Sequence, residues 1–173
     1  MMSTSISIGL VSDTHGYLPQ IVIDCFAGRD LNFIIHAGDS ESHNTLSELE
    51  LIAPTISVLG NCDWQQELQS LPLIARRQLG NARLVITHRP QDLISALNKL
   101  GQPEEGTPFI VGIHGHTHVP KFEWWSKSPS TQTMILCPGS PVEPRMDSKP
   151  TVAILQIGSD GSGCAPEVEF IEL

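Results

Sequence analysis

The stretch Ile6-Ser7-Ile8-Gly9-Leu10-Val11-Ser12-Asp13-Thr14-His15-Gly16 decides the fold. Its first half alternates and then runs apolar, which predicts a buried strand. Its second half is polar, so the strand ends on a carboxylate and an imidazole two positions apart. In an extended segment, residues i and i+2 face the same side. Pro19 suits the first turn of a helix, and Ile21 to Phe26 supply its apolar face. The same unit then recurs. Phe33-Ile34-Ile35 is a short strand ending in His36-Ala37-Gly38-Asp39-Ser40, followed by a helix from about Ser42 to Glu50. Thr55 to Leu59 is a third strand, ending in Gly60-Asn61-Cys62-Asp63.

Further along, Leu84-Val85-Ile86 is a strand ending at Thr87-His88. Leu93, Ile94, Leu97 and Leu100 have helical spacing over Gln91 to Leu100, with Gly101 as a stop. Phe109 to Ile113 is a strand followed by His114-Gly115-His116-Thr117-His118. The last third changes character: Phe122 to Trp125, Met134 to Cys137, Val152 to Ile157 and Val168 to Ile171 read as strands without helices between them. A βαβαβ start and a β-rich end predict an α/β fold with two mixed sheets packed as a sandwich and helices outside. The 173 residues, 40% apolar and 17% charged, fit one domain over residues 1–173.

A net charge of −9 with 10 basic residues argues against a nucleic-acid-coating surface. Cys25, Cys62, Cys137 and Cys164 form no C-x-x-C pair, so neither a structural zinc site nor a disulfide scaffold is expected. There is no signal-peptide pattern and no apolar run of membrane-span length. The reading is a protein of a reducing compartment, cytoplasmic if the source is bacterial.

The five strand ends carry the chemistry. They deliver Asp13 and His15, Asp39, Asn61, His88, and His116 with His118 to one edge, where α/β sheets bind ligands. Alone, each Asp reads as a helix cap or turn former, and each His as a satisfied surface or core residue. Together, seven O and N donors exceed what one tetrahedral zinc uses and suit two cations such as Mn²⁺, Fe or Zn²⁺. Two metals about 3.5–4 Å apart can clamp the attacking and leaving oxygens of a phosphoryl transfer.

With Cys137-Pro138-Gly139-Ser140 and Pro144-Arg145 added, these motifs resemble the calcineurin-like metallophosphoesterases, in particular the small phosphodiesterases of the YfcE type. The resemblance runs from about Ile6 to Ile157. It implies one divalent ion on Asp13, His15, Asp39 and His118, and another on Asp39, Asn61, His88 and His116. Asp39 would be shared, and a metal-bridging hydroxide would attack a small phosphodiester. Mn²⁺ is the expected ion, with Fe, Zn²⁺ or Ni²⁺ as alternatives. Asp39 and Asn61 would act in catalysis; Asn61, Cys62 and Arg89 would meet the substrate. The same fold resembles a eukaryotic retromer subunit that serves as a protein-binding scaffold; the full donor set disfavours that reading here. A homo-oligomer is compatible with either.

Three departures stand out. Cys62 replaces the histidine that many relatives use as general acid, and a neutral thiol protonates an alkoxide poorly. Arg89-Pro90 replaces a glycine; Arg89 either clamps a phosphate oxygen or points to solvent, slightly the latter. Cys137 replaces an asparagine in a loop expected to matter little to metal binding. His36 and His114 are expected to support neighbouring ligands, and His43 to be exposed on its helix. Trp64, Trp124 and Trp125 are open between packing, subunit contact and an aromatic leaving group.

Overall fold

The structure, a computed structural model, describes residues 5–100, 108–127, 131–158 and 163–173. The first sheet is built on β1 (Ser5–Val11), β2 (Phe33–His36) and β3 (Thr55–Ser57), which run parallel. The helices α1 (Gln20–Ala27) and α2 (His43–Glu50) make the crossovers between them. β9 (Thr151–Gly158) and β10 (Glu167–Glu172) extend this sheet antiparallel on the other side, in the order β10-β9-β1-β2-β3. The second sheet has the order β4-β5-β6-β8-β7. It comprises β4 (Ile74–Leu79), β5 (Ala82–Thr87), β6 (Phe109–Ile113), β7 (Lys121–Lys127) and β8 (Gln132–Cys137), with α3 (Pro90–Asn98) crossing from β5 to β6. β5, β6 and β8 are parallel; β4 and β7 are antiparallel edges.

Strand alternation explains the layering. Ile8 and Leu10 of β1, Leu84 and Ile86 of β5, and Met134 and Leu136 of β8 share one core between the sheets. Val11 and Ile34 face outward against Val22, Phe26 and Leu49 of α1 and α2. On the far side, Val85, Ile110 and Ile135 pack on Leu93, Ala96 and Leu97 of α3. The result is helix, sheet, sheet, helix. All the parallel strands of both sheets end on one edge of this sandwich.

Local differences have clear causes. Sequence reading leaves residues 61–83 as loop, but they contain a 3-10 turn (Gln66–Ser70) and β4. β4 is an edge strand whose Arg76, Arg77 and Gln78 are exposed, so it lacks an apolar alternation. The third strand stops at Ser57 because Leu59 turns away, its N–H donating to the Pro72 carbonyl at 2.9 Å. The strands expected at Phe122 to Trp125 and Met134 to Cys137 are longer than the sequence pattern, β7 running from Lys121 to Lys127 and β8 beginning at Gln132. Helix α3 stops at Asn98, with Lys99 as its cap; the expected stop at Gly101 lies outside the described residues. Trp64 and Trp125 are exposed, and Trp124 packs against the main core. No helix among the described residues is long and apolar enough to cross a membrane.

Candidate metal centre

The predicted donors sit at the strand ends in unusual backbone conformations. Asp13, His15, Asp39, His116 and His118 all have positive φ, between 45° and 69°. Non-glycine residues avoid this left-handed region, and where several gather the surrounding structure must hold them there. Here a buried carboxylate does much of the holding. Asp63 accepts hydrogen bonds from the N–H groups of Asp39 (3.1 Å), Gly60 (2.7 Å) and Glu41 (2.6 Å), and from the Ser40 hydroxyl (3.1 Å). The loops after β2 and β3 are thereby locked together. Gly60 is required for this: a Cβ there would overlap the backbone N and Oδ1 of Asp39. Gly38 has φ +89° and faces the His88 ring, which a Cβ would meet at 2.6 Å.

Two clusters of acceptors result. In the first, His118 Nε2 lies 3.3 Å from Asp13 Oδ1 and 3.3 Å from His15 Nε2. The far nitrogens of both rings are already committed: His118 Nδ1 to the Glu143 carbonyl at 2.6 Å, and His15 Nδ1 to the Glu41 carboxylate at 2.6 Å. Carbonyl and carboxylate oxygens only accept, so each Nδ1 carries its proton and each Nε2 presents a lone pair. In the second, His88 Nε2 faces Asp39 Oδ2 at 3.2 Å and Asn61 Oδ1 at 3.1 Å, while its Nδ1 donates to the Ala37 carbonyl at 2.9 Å. Ligand atoms of Asp13, His15 and His118 lie within 4.8 Å of one another, as do those of Asp13, Asp39 and His88. Acceptors facing acceptors require a cation or a proton between them. This donor set fits divalent ions that take mixed nitrogen and oxygen ligands.

The electrostatics agree. Burial pushes the His88 and His118 pKa values down, but their contacts with Asp39 and Asp13 outweigh it, and the net direction is up. Burial likewise opposes ionisation of Asp39, yet His88 and the Cys62 N–H, 2.7 Å from Oδ1, hold its carboxyl well below the usual range. The cleft therefore stabilises positive charge opposite its carboxylates.

Not every expected residue joins a cluster. The His116 ring packs edge-on against His88, centroids 5.2 Å apart, and stays outside the three-residue groupings. Its backbone N–H nevertheless holds both Asp13 oxygens, at 3.1 and 3.0 Å. Asp13 belongs to two of the three such groupings among the described residues and Asp39 to one; the third joins His15, Glu41 and Cys62. The Cys62 thiol stays neutral, because burial and then the Asp39 carboxylate push its pKa up to about 11. Arg89 is exposed and borders a cleft with Asn61 and His88. His36 is fully buried under the site, bonded to the Thr14 hydroxyl at 3.0 Å, and burial lowers its pKa to about 4. His114 caps the Gly115 carbonyl at 2.8 Å, and His43 is exposed.

Sequence reading missed Glu41, Asp63 and the reach of the loop after β8. Ser140 donates to the Asp13 carbonyl at 2.8 Å, and Ser12 bridges Asp13 Oδ2 (2.6 Å) and the Gly139 carbonyl (2.9 Å). That loop, expected to matter little, thus positions Asp13 and, through Glu143, His118. Cys137 itself is buried and touches Thr117 at 3.4 Å. The one available signal for Glu41 was its acidic side chain beside the turn of Gly38-Asp39.

The chain belongs to the calcineurin-like phosphoesterase superfamily, whose profile matches residues 6–160. It is 33% identical over 162 residues to a probable metallophosphoesterase of Methanothermobacter thermautotrophicus, covering 88% of this chain and 87% of that one. Its fold is similar to that of an archaeal phosphodiesterase (TM-score 0.72, 24% identity, 97% and 100% of the two chains). Similar too are YfcE, a phosphoesterase from E. coli (0.66, 21%, 96% and 99%), and Vps29 with Zn²⁺ from Entamoeba histolytica (0.63, 17%, 96% and 99%).

Proposed function

We propose that this chain hydrolyses a small phosphodiester with two divalent cations, Mn²⁺ by our reading, as a cytoplasmic enzyme. The observation that carries the reading is the pair of Nε2 lone pairs on His15 and His118, 3.3 Å apart, with His118 Nε2 also 3.3 Å from Asp13 Oδ1. One cation would sit with Asp13, His15, Asp39 and His118; the other with Asp39, Asn61, His88 and His116. Asp39 is offered for the shared position because its carboxylate meets His88 and groups with Asp13, which in turn groups with His15 and His118. When bound, the cations supply Lewis acidity toward the phosphoryl oxygens and an activated water.

The chain's own groups do the rest. Glu41, Glu143 and Ala37 fix the rings of His15, His118 and His88, so the donors need little rearrangement to act. The Asn61 amide lines the cleft beside His88, where it can orient a phosphoryl oxygen. The neutral Cys62 thiol beside it is a weak proton donor, which favours diesters whose leaving group needs no protonation. The four free cysteines suit a reducing compartment.

The test is hydrolysis of bis(para-nitrophenyl) phosphate with Mn²⁺ by the wild type and by His116→Ala, both checked by circular dichroism. Turnover in the wild type that is lost in a folded variant is expected. A Vps29-like scaffold would turn over no substrate with any metal. Absent wild-type activity, or full activity in the folded variant, would overturn the proposal.

A further inference from the structure

An open cleft adjoins the donor clusters. It has a volume of about 310 Å³ and lies between the end of β3, the start of β4 and the first turn of α3, lined by Leu59, Asn61, Leu73, His88, Arg89 and Asp92. Asn61 and His88 line it and also belong to the second donor cluster, where His88 Nε2 faces both Asn61 Oδ1 and Asp39 Oδ2. A molecule held at the clusters by its phosphate would therefore extend into this space.

The rest of the lining combines Arg89, Leu59, Leu73 and Asp92. Among the described residues no carboxylate forms an ion pair with Arg89, and its charge is felt at His116. Leu59 and Leu73 supply the cleft's apolar surface, and Leu73 is 70% exposed. Asp92 follows one turn along the helix. Arg89 and Asp92 are set rigidly relative to each other, because the Arg89 carbonyl accepts the N–H groups of Asp92 (3.2 Å) and Leu93 (3.1 Å). Pro90 stiffens that first turn. The volume is at the lower end of the roughly 300–1,000 Å³ that small-molecule sites span, enough for one ring and too small for a polymer.

We infer that this cleft seats the second ester arm of the diester and selects an apolar arm tipped with an amine. The inference rests on the phosphodiesterase reading above. Arg89 meets the phosphate, the two leucines cover the apolar part, and the Asp92 carboxylate accepts from the amine. Asp92 would also complement the helix N-terminus without any ligand, so the test must separate the two roles.

Three diesters with one leaving group do so: the methyl, benzyl and para-aminomethylbenzyl esters of para-nitrophenyl phosphate, assayed with the Mn²⁺-loaded protein. The benzyl ester is expected to show a KM about tenfold below the methyl ester, from apolar surface covered by the leucines. The amine should add about threefold more, a small factor because Asp92 is solvated. Leu73→Ser should shrink the benzyl-to-methyl ratio, and Asp92→Asn should abolish the amine-to-benzyl ratio. A purely structural Asp92 would lower all three substrates in parallel and leave the ratios intact, which would overturn its role. Equal KM values for the three esters in the wild type would overturn the cleft as a subsite while leaving the phosphodiesterase standing. Hydrolysis of none of the three would remove the phosphodiesterase reading and this inference with it.

Discussion

The two sheets present different chemistry to the same cleft. The first sheet, through the ends of β1, β2 and β3, supplies oxygen donors, Asp13, Asp39 and Asn61, with His15 as its one imidazole. The second sheet, through β5 and β6, supplies imidazoles only: His88, His116 and His118. The first sheet's carboxylates are held by N–H and hydroxyl donors, and the second sheet's His88 and His118 rings by carbonyl acceptors. The holding also crosses between sheets. The His116 N–H of the second sheet grips Asp13 of the first, and the Ala37 carbonyl of the first grips His88 of the second. Neither edge is a site alone. The donors converge only when the apolar core between the sheets has closed.

The sharpest way to blur this division is to put an imidazole on the first sheet where a thiol now stands. Cys62→His should raise turnover of glycerol phosphate, a poor leaving group, by about 10²-fold or more, because a positioned acid contributes about 10²–10⁴-fold. Rates unchanged from the wild type would mean that another residue already delivers the proton. Next in size is Gly60→Ala, which drives a methyl group into Asp39 where the β2 and β3 loops meet. It should cost about 3 kcal/mol in urea unfolding, at the upper end for overpacking. A loss below about 1 kcal/mol would show that the first sheet's edge is softer than its hydrogen bonds imply.

Metal should tie the two edges together. Mn²⁺ at a hundred times its Kd should stabilise the fold by about 2.7 kcal/mol, a Tm rise of roughly 5–10 °C that a chelator reverses. No shift in Tm would contradict a site spanning both sheets. The smallest effect concerns His15, the imidazole that the first sheet brings to the donor clusters. Glu41→Gln weakens the carboxylate that holds His15 and should lower Mn²⁺ affinity by about tenfold, the low end for residues that orient a ligand. Calorimetry reads this directly. Unchanged affinity would make the Glu41 contact incidental to His15's orientation.

Much of the architecture was legible because it rests on local periodicity. β1, β2, β5, β6, β8 and β9 are apolar runs that stop at polar clusters, and both α1 and α2 fall where the pattern places them. The missed strand, β4, is an edge whose arginines face water and break the alternation. Even there a signal existed: Gly80-Asn81 between two short runs is a hairpin turn. The donors themselves were legible because each closes a strand, and parallel strands deliver their ends to one side.

The sequence alone determined which chemical groups arrive at the edge, since strand period and strand polarity are local properties. It also determined which proton donor is absent, since Cys62 stands in plain view. Only the tertiary structure decided how the groups face one another. Glu41 reaches His15 across 26 residues, Glu143 reaches His118 across 25, and Ser140 reaches Asp13 across 127. Asp63 stood in a recognised motif, yet that it holds three backbone N–H groups and a hydroxyl appeared only in the folded loops. The physical reason is one of range. A helix or strand is set by neighbours a few positions away, whereas the direction of a lone pair is set by whichever carbonyl or carboxylate the packed core brings against the ring.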